Sequence, residues 1–344
     1  MSSRHVILSV LGATALLGLG ANQSAGQQTD KLMIPHSAWD CGMPAGIPNP
    51  ESGALIFEIG LPLDRAAEIG QTQFGHRRIA VGLEGIVEGP KLSATVMEGA
   101  LDFELTLANG TVEIEQILVL QATDDSYILA RNAGTGADIG DVRIVMDFEA
   151  PSDSEHAWLN SGKYVARREL DSVAKMMTLR VYDVSSVAAH TADAIEIAKP
   201  AGVPAQPWDL RAKADTELQG ETLITENVTL GPSQSVGVSK RGRRNIIPIT
   251  GGDLSGRING KVLMGGADYQ HLDPPATIDA RYLWQADDGE IIIVRNGGAF
   301  GSLVPSFEAR LDGRHAYLNN GLYLSSNPGT GSGGVSLTFY ESRN

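Results

Sequence analysis

Apolar and polar residues alternate with period two along most of this chain, and that pattern predicts strands. Thr277-Ile278-Asp279-Ala280-Arg281-Tyr282-Leu283-Trp284-Gln285 alternates, meets Asp287-Asp288-Gly289, and resumes at Glu290-Ile291-Ile292-Ile293-Val294. This layout predicts a β-hairpin whose Asp-Gly turn supplies the positive φ values of a tight connection. The same layout occurs earlier, where Thr111 to Leu120 leads through Asp124-Asp125-Ser126 into Tyr127-Ile128-Leu129-Ala130. Turn chemistry explains the paired aspartates better than a metal site does. Further strands are predicted over 54–59, 78–83, 142–148, 177–182, 223–228, 246–250, 261–264 and 335–340. No convincing amphipathic helix accompanies them; Ala188 to Ala198 reads either as a short helix or as a lead-in to a connector.

Two phrases recur at one spacing. Phe148-Glu149-Ala150 precedes His156-Ala157-Trp158-Leu159-Asn160, and Phe307-Glu308-Ala309 precedes His315-Ala316-Tyr317-Leu318-Asn319, each 159 positions later. Such agreement points to two copies of one unit, and a period this long means duplicated domains rather than a solenoid. The expected organisation is an export signal over 1–26, a first copy over 31–184, a connector over 185–207 and a second copy over 208–344. Three prolines between Lys199 and Pro207 predict a stiff connector. Many short strands and close turns predict an all-β fold of two tandem antiparallel β-barrels of lipocalin-like or calycin-like form. Closure removes sheet edges, and a barrel of about eight strands has room for one small ligand.

Composition narrows the picture. The 344 residues suffice for two ordinary cores, and forty glycines suit a turn-rich β protein. A net charge of −14 argues against nucleic acid. The basic run Lys240-Arg241-Gly242-Arg243-Arg244 reads as a loop or strand end. Arg4 and His5 precede an apolar run from Val6 to Leu19, too short for a comfortable membrane span of about 20 residues, and small residues follow. The expected mature protein is periplasmic or secreted, with no stable membrane insertion. Cys41, the single cysteine, allows no internal disulfide and is expected to be a buried apolar residue.

In the second copy, Gly242-Arg243-Arg244, Gly251-Gly252-Asp253-Leu254-Ser255-Gly256, Gly265-Gly266-Ala267-Asp268-Tyr269, Asp279-Ala280-Arg281-Tyr282, Phe307-Glu308 and Tyr317-Leu318-Asn319 occur in order. Together these resemble the DUF3237 family, also called UPF0311. The first copy resembles it more loosely, through Gly85, Gly89, Gly99, Asp102-Phe103, Phe148-Glu149 and Trp158-Leu159-Asn160. One inserted residue near Leu101 aligns Glu113 with Asp279 and Glu115 with Arg281. The resemblance implies a compact barrel for each copy with a pocket inside. It says little about reaction, although some fungal relatives, described as cyclases of natural products, point weakly to such chemistry.

Asp279, Arg281 and Leu283 share one face of their strand, while Ala280, Tyr282 and Trp284 share the other. A polar inner face would hold an anion or enolate-like oxygen; an aromatic one would hold a ring. The catalytic candidates are Arg281, Asp268 as general base, and Glu308 as acid or as orienter of an arginine. The ligand-binding candidates are Arg243, Tyr269, Asp279, Tyr317 and Asn319. His315 recurs as His156, which points to a shared structural bond. No histidine spacing suggests a metal site, and no nucleotide or redox fingerprint occurs, so no metal or cofactor is expected. Three functions compete: a cofactor-free lyase, isomerase or cyclase acting on a carbonyl-containing or aromatic compound; a non-catalytic periplasmic ligand carrier; and a structural pair of barrels with no ligand. A glycoside-cleaving pair of Asp268 and Glu308 is a lesser variant. The expected partner is a small molecule, with the barrels packed on each other or in a homo-oligomer. The enzyme reading expects Asp268 and Arg281 to converge on an open cavity, with a carboxylate raised by burial.

Overall fold

The computed structural model describes residues 31–188, 193–331 and 333–343. The expected export segment lies outside them. Each predicted strand has a counterpart, and the described residues contain strands and short 3₁₀ turns only.

Eight strands form the first barrel: β1 (Ala54–Gln71), β2 (His76–Gly82), β3 (Leu101–Thr106), β4 (Val112–Ala122), β5 (Tyr127–Gly136), β6 (Arg143–Met146), β7 (Tyr164–Asp171) and β8 (Met176–Asp183). Each pairs antiparallel with the next, and β8 returns to β1, so the ring is closed. The second barrel repeats the order with β9 (Leu218–Leu230), β10 (Gly242–Gly256), β11 (Ala267–His271), β12 (Thr277–Ala286), β13 (Ile291–Ala299), β14 (Val304–Glu308), β15 (Tyr323–Ser325) and β16 (Gly334–Arg343). Here the ring lacks one ladder. Between β14 and β15 the described backbone hydrogen bonding is one bond, from Ser325 N–H to the carbonyl of Leu303, just before β14, at 3.2 Å, beside the packed rings of Phe307 and Tyr323.

Hairpin register corrects the expected alignment of the copies. Gln121 pairs with Tyr127, and Gln285 pairs with Ile291. Glu115 therefore corresponds to Asp279, and Ile117 to Arg281, two positions away from the alignment drawn from the sequence. Likewise Asp102 faces Gln116 as Asp268 faces Ala280, which makes Asp102 and Asp268 counterparts.

Alternation decides what each barrel buries. Even-numbered residues of β12, from Ile278 to Ala286, join the second core, as Ile114, Leu118 and Leu120 of β4 join the first. The outer faces meet in a seam. Ile79, Val81, Leu101 and Phe103 of the first barrel pack on Leu263 and Leu283 of the second, and Ile117, Val119 and Leu129 pack on Val236, Ile246 and Tyr269. Thus β2 and β3 face β12 and its neighbours, while β4 and β5 face β10 and β11, a pseudo-twofold arrangement. The backbones touch where Gly266 N–H donates to the Gly99 carbonyl at 2.7 Å; a Cβ on Gly266, at φ +77°, would strike the Arg281 carbonyl.

The repeated phrases explain themselves here. Phe148 and Phe307 enter the cores. Glu149 reaches across the seam to Arg244 at 2.8 Å, and Glu308 reaches back to Arg77 at 2.8 Å. Asn160 clips both backbone groups of Ala150, and Asn319 both of Ala309. His156 ties to Asp124 at 3.2 Å and His315 to Asp288 at 3.3 Å, fixing each hairpin turn. The recurring histidine is a structural bond.

The connector residue expected either as helix or as lead-in resolves in part: Ile195–Glu196 pairs in parallel with Met33–Ile34. Residues 189–192 of that stretch lie outside the described residues.

Candidate functional site

The aromatic face of β12 turns inward and the ionic face outward. Tyr282 and Trp284 are fully buried in the second barrel, where Trp284 stacks among Phe307 and Phe339 at 5.0 and 5.6 Å. Between these rings and the neighbouring strands sits Glu226 of β9, 0% exposed. One Glu226 oxygen accepts from the Tyr282 hydroxyl at 2.7 Å and the other from Trp284 Nε1–H at 2.8 Å. Burial pushes Glu226 up to about 7, against the lowering effect of those two hydrogen bonds. Asp268 lines the same small cavity, and burial pushes it up to about 6. Asn296 lines it too; its amide donates to Ser325 Oγ at 3.1 Å while its buried Oδ1 has no partner. No arginine or lysine is among the lining residues, which are otherwise apolar.

The first barrel holds the counterpart acid differently. Asp102 takes Arg168 Nη2 at 2.6 Å and Nε at 3.0 Å, and Gln116 at 2.6 Å, while Arg168 also pairs with Glu104 at 2.8 Å. A buried carboxylate with a bidentate guanidinium is satisfied. Glu226 and Asp268 are two carboxyls left without a cation; both line one cavity, and burial pushes each toward neutral pH.

The other candidates fall elsewhere. Arg281 does not converge with Asp268; it lies on the outer face of β12, buried in the seam, bonded to Asp279 at 2.9 Å and to Glu115 at 3.1 Å. Alternation forces this, because Tyr282 and Trp284 occupy the inner positions. Burial alone would raise Asp279, but the Arg281 and Arg295 guanidiniums outweigh it and hold the carboxyl well below its usual range. Glu308 is likewise a seam residue, accepting from Arg77 and from Thr72 Oγ1, so it cannot form an acid–base pair with Asp268. Tyr269 packs in the seam. Arg243 is at the surface, paired with Asp273 at 2.7 Å. Asn319 is the clip described above, and Tyr317 is 37% exposed. The basic run is spent on carboxylates, with Lys240 and Arg241 on Asp147 and Arg244 on Glu149.

Glu226 and Asn296 were missed from sequence, yet both left signals. Glu226 is an acid inside the apolar stripe Ile224, Glu226, Val228, and Arg295-Asn296 repeats Arg131-Asn132 one strand after each hairpin turn. Two trios offer ligand atoms within 4.8 Å of one another, Asp124, Glu155, His156 and Asp288, Glu290, His315, at the hairpin turns. Outside both barrels a cleft of about 710 Å³ lies between Trp39, Cys41, Tyr164 and Trp208. Its Arg131 and Arg241 are already paired, and burial pushes the Cys41 thiol well up.

Fold and interior together define a tandem β-barrel protein with one apolar barrel interior that carries unpaired acids. The chain belongs to the DUF3237 family, described as a protein of unknown function, which matches residues 52–187 and 219–304. It is 39% identical over 83 residues to the UPF0311 protein blr7842 of Bradyrhizobium diazoefficiens, covering 24% of this chain and 55% of that one. It is 47% identical over 60 residues to the UPF0311 protein CA_C3321 of Clostridium acetobutylicum, covering 17% and 38%. The chain spans about half the length of the first of these curated relatives. Among solved structures, a beta-barrel like protein of Acinetobacter baumannii aligns at 21% identity and TM-score 0.33, covering 38% of this chain and 94% of that one. An enzyme from Penicillium herquei aligns at 23% identity and TM-score 0.28, covering 37% and 91%. The barrel assignment rests on the strand pairing rather than on these alignments.

Proposed function

We propose that this is an exported small-molecule-binding protein whose second barrel performs cofactor-independent proton transfer on a carbonyl-containing or aromatic compound, as an isomerase or lyase does. The observation that carries the reading is the contrast between copies: the inherited acid is neutralised by Arg168 in the first barrel and left unpaired beside Glu226 in the second. A protein that keeps such groups without a partner carries a cost that a structural role does not require. Asp268, near 6, is mostly ionised at pH 7 and serves as base; Glu226, near 7, is available in protonated form as the acid.

The cavity measures only about 20 Å³, room for a water. Substrate enters by parting the wall between β14 and β15, where one hydrogen bond stands in place of a ladder and where Leu303 and Asn296 line the interior. The first barrel has a four-residue ladder at the equivalent place. A carrier reading is favoured by the apolar lining, and one experiment separates the two. Small ketones, lactones and aromatic carbonyl compounds are incubated with the full chain in D₂O and followed by proton NMR. Proton transfer gives exchange at the carbon next to the carbonyl, and Asp268→Asn removes it. Ligand binding that survives Asp268→Asn, with no exchange in the parent protein, establishes the carrier instead.

A further inference from the structure

Where the connector crosses the seam, a cavity of about 240 Å³ gathers Arg77, Arg211, Arg281 and Arg295. Two of them share their partners. Arg77 takes Glu308, Arg281 takes Glu115 and Asp279, Arg295 shares that same Asp279, Arg131 shares Glu115, and Arg211 takes Glu217. Arg131 lies outside the cavity but competes for the same acids, so Arg131, Arg281 and Arg295 share only two carboxylates, Glu115 and Asp279, in surroundings where an uncompensated charge is expensive. Burial and the neighbouring Arg281 both push Arg295 down, as expected of a cation short of an anion.

Hydrogen bonding shows the same deficit independently. Arg77, 2% exposed, uses Nε and Nη2 on Glu308 and Gln206, but its Nη1 has no partner. Gln206, 9% exposed, accepts from Arg77 with Oε1 while its Nε2 has no partner. Both residues line the cavity, and both empty atoms are donors. Buried donors of this kind are nearly always satisfied, so two beside surplus positive charge point to an anionic oxygen ligand. Phe103, Phe307, Leu318 and Leu322 supply an apolar side to the same space.

We propose that the seam cavity binds a small organic carboxylate, its oxygens taking Arg77 Nη1 and Gln206 Nε2 and its apolar body lying along the Phe307 side. The site is composite: Arg77 comes from the first barrel, Gln206 from the connector, and Arg281 and Arg295 from the second barrel. It is separate from the Glu226–Asp268 interior and does not depend on the acid–base reading.

Benzoate is the probe, titrated into the full chain by calorimetry, with sodium chloride and sodium sulfate at matched ionic strength as controls. Saturable benzoate binding is expected. Gln206→Ala, a change in the connector outside both barrels, weakens it about tenfold through loss of one hydrogen bond to a charged group. Gln206→Glu supplies the missing negative charge from the chain itself and abolishes it. Asp268→Asn leaves it unchanged, so failure here and failure of the interior site are distinguishable. The proposal is overturned if benzoate gives no binding at millimolar concentration, if both Gln206 variants bind like the parent, or if sulfate binds as tightly as benzoate.

Discussion

Glu226→Gln probes the interior site through stability alone, without a known substrate. In the folded protein the Glu226 carboxyl stands near 7, against an ordinary 4.5, because burial penalises its charged form. A group raised in this way holds its proton more tightly folded than unfolded. Below about pH 4.5 both states are protonated and nothing is lost. As pH rises through 7 the unfolded chain gains from ionising while the folded chain resists, so stability falls. At about 1.36 kcal/mol per pH unit, the gap amounts to about 3 kcal/mol between pH 4.5 and pH 8. Glutamine does not ionise and escapes that loss. Its carbonyl still accepts from Trp284, and Tyr282 is able to rotate its hydroxyl to accept from the new amide, so the fixed cost of the swap is small.

The measurement is thermal unfolding of parent and variant at pH 4.5, 6 and 8, followed by calorimetry. The difference between the two proteins cancels the titrating groups that do not interact with Glu226, and repeating the comparison in an Asp268→Asn background removes the one neighbouring carboxyl that does. The variant gains about 3 kcal/mol relative to the parent on going from pH 4.5 to pH 8, which at about 2–4 °C per kcal/mol is roughly 6–12 °C in midpoint. A difference that stays constant across this range means that Glu226 ionises as an ordinary carboxyl, and the interior then has no acid.

The seam supplies two further predictions. Glu308→Ala strands the buried Arg77 and costs about 3–5 kcal/mol, and Glu149→Ala, which strands Arg244, costs less because Arg244 is more exposed; urea unfolding measures both, and a loss under 1 kcal/mol for Glu308→Ala refutes the bridge. Acid also opens the seam. Burial would raise Glu115 and Glu149, but guanidiniums outweigh it and hold both below the usual range, chiefly Arg281 of the second barrel for Glu115 and Arg244 of the second barrel for Glu149. A depressed carboxyl stabilises above its ordinary value of about 4 and loses that contribution as pH falls further. Small-angle scattering should therefore show the barrels separating between about pH 4 and pH 2 while circular dichroism retains the β signal; a radius unchanged to pH 2 contradicts this.

Much of the fold was legible because alternation and turn chemistry are local. Of the strands left unmarked, β14 and β15 are short, and β3 and β7 carry charge at inner positions. In β3 the interior takes Asp102 and Glu104, and in β7 it takes Arg168, so the period-two signal fails just where the first barrel buries an ion pair. For the site, one strand could state that Arg281 and Tyr282 face opposite ways but not which way is in. That depended on a second barrel lying behind Arg281 with Glu115 to meet it, a contact 166 residues distant. Glu226 is readable by parity, as an acid between Ile224 and Val228 on the face that turns into the core.

The two barrels diverge in the length of one strand, and that difference bears on the unpaired acid. In the first copy β7 continues from Tyr164 to Asp171, which places Arg168 four residues on, inside the barrel against Asp102. In the second copy β15 begins at the equivalent Tyr323 and stops at Ser325. Four residues past Tyr323 stands Asn327, which has left the strand and accepts from Gly301 N–H at 2.7 Å. Shortening that strand removes the position from which a cation would neutralise Asp268. One change in strand length thus leaves a carboxylate without its partner. Structural duplication preserved the seam, where both copies use the same glutamate and arginine, and relaxed the interior of one copy alone. That asymmetry is what a binding or catalytic role confined to the second barrel requires.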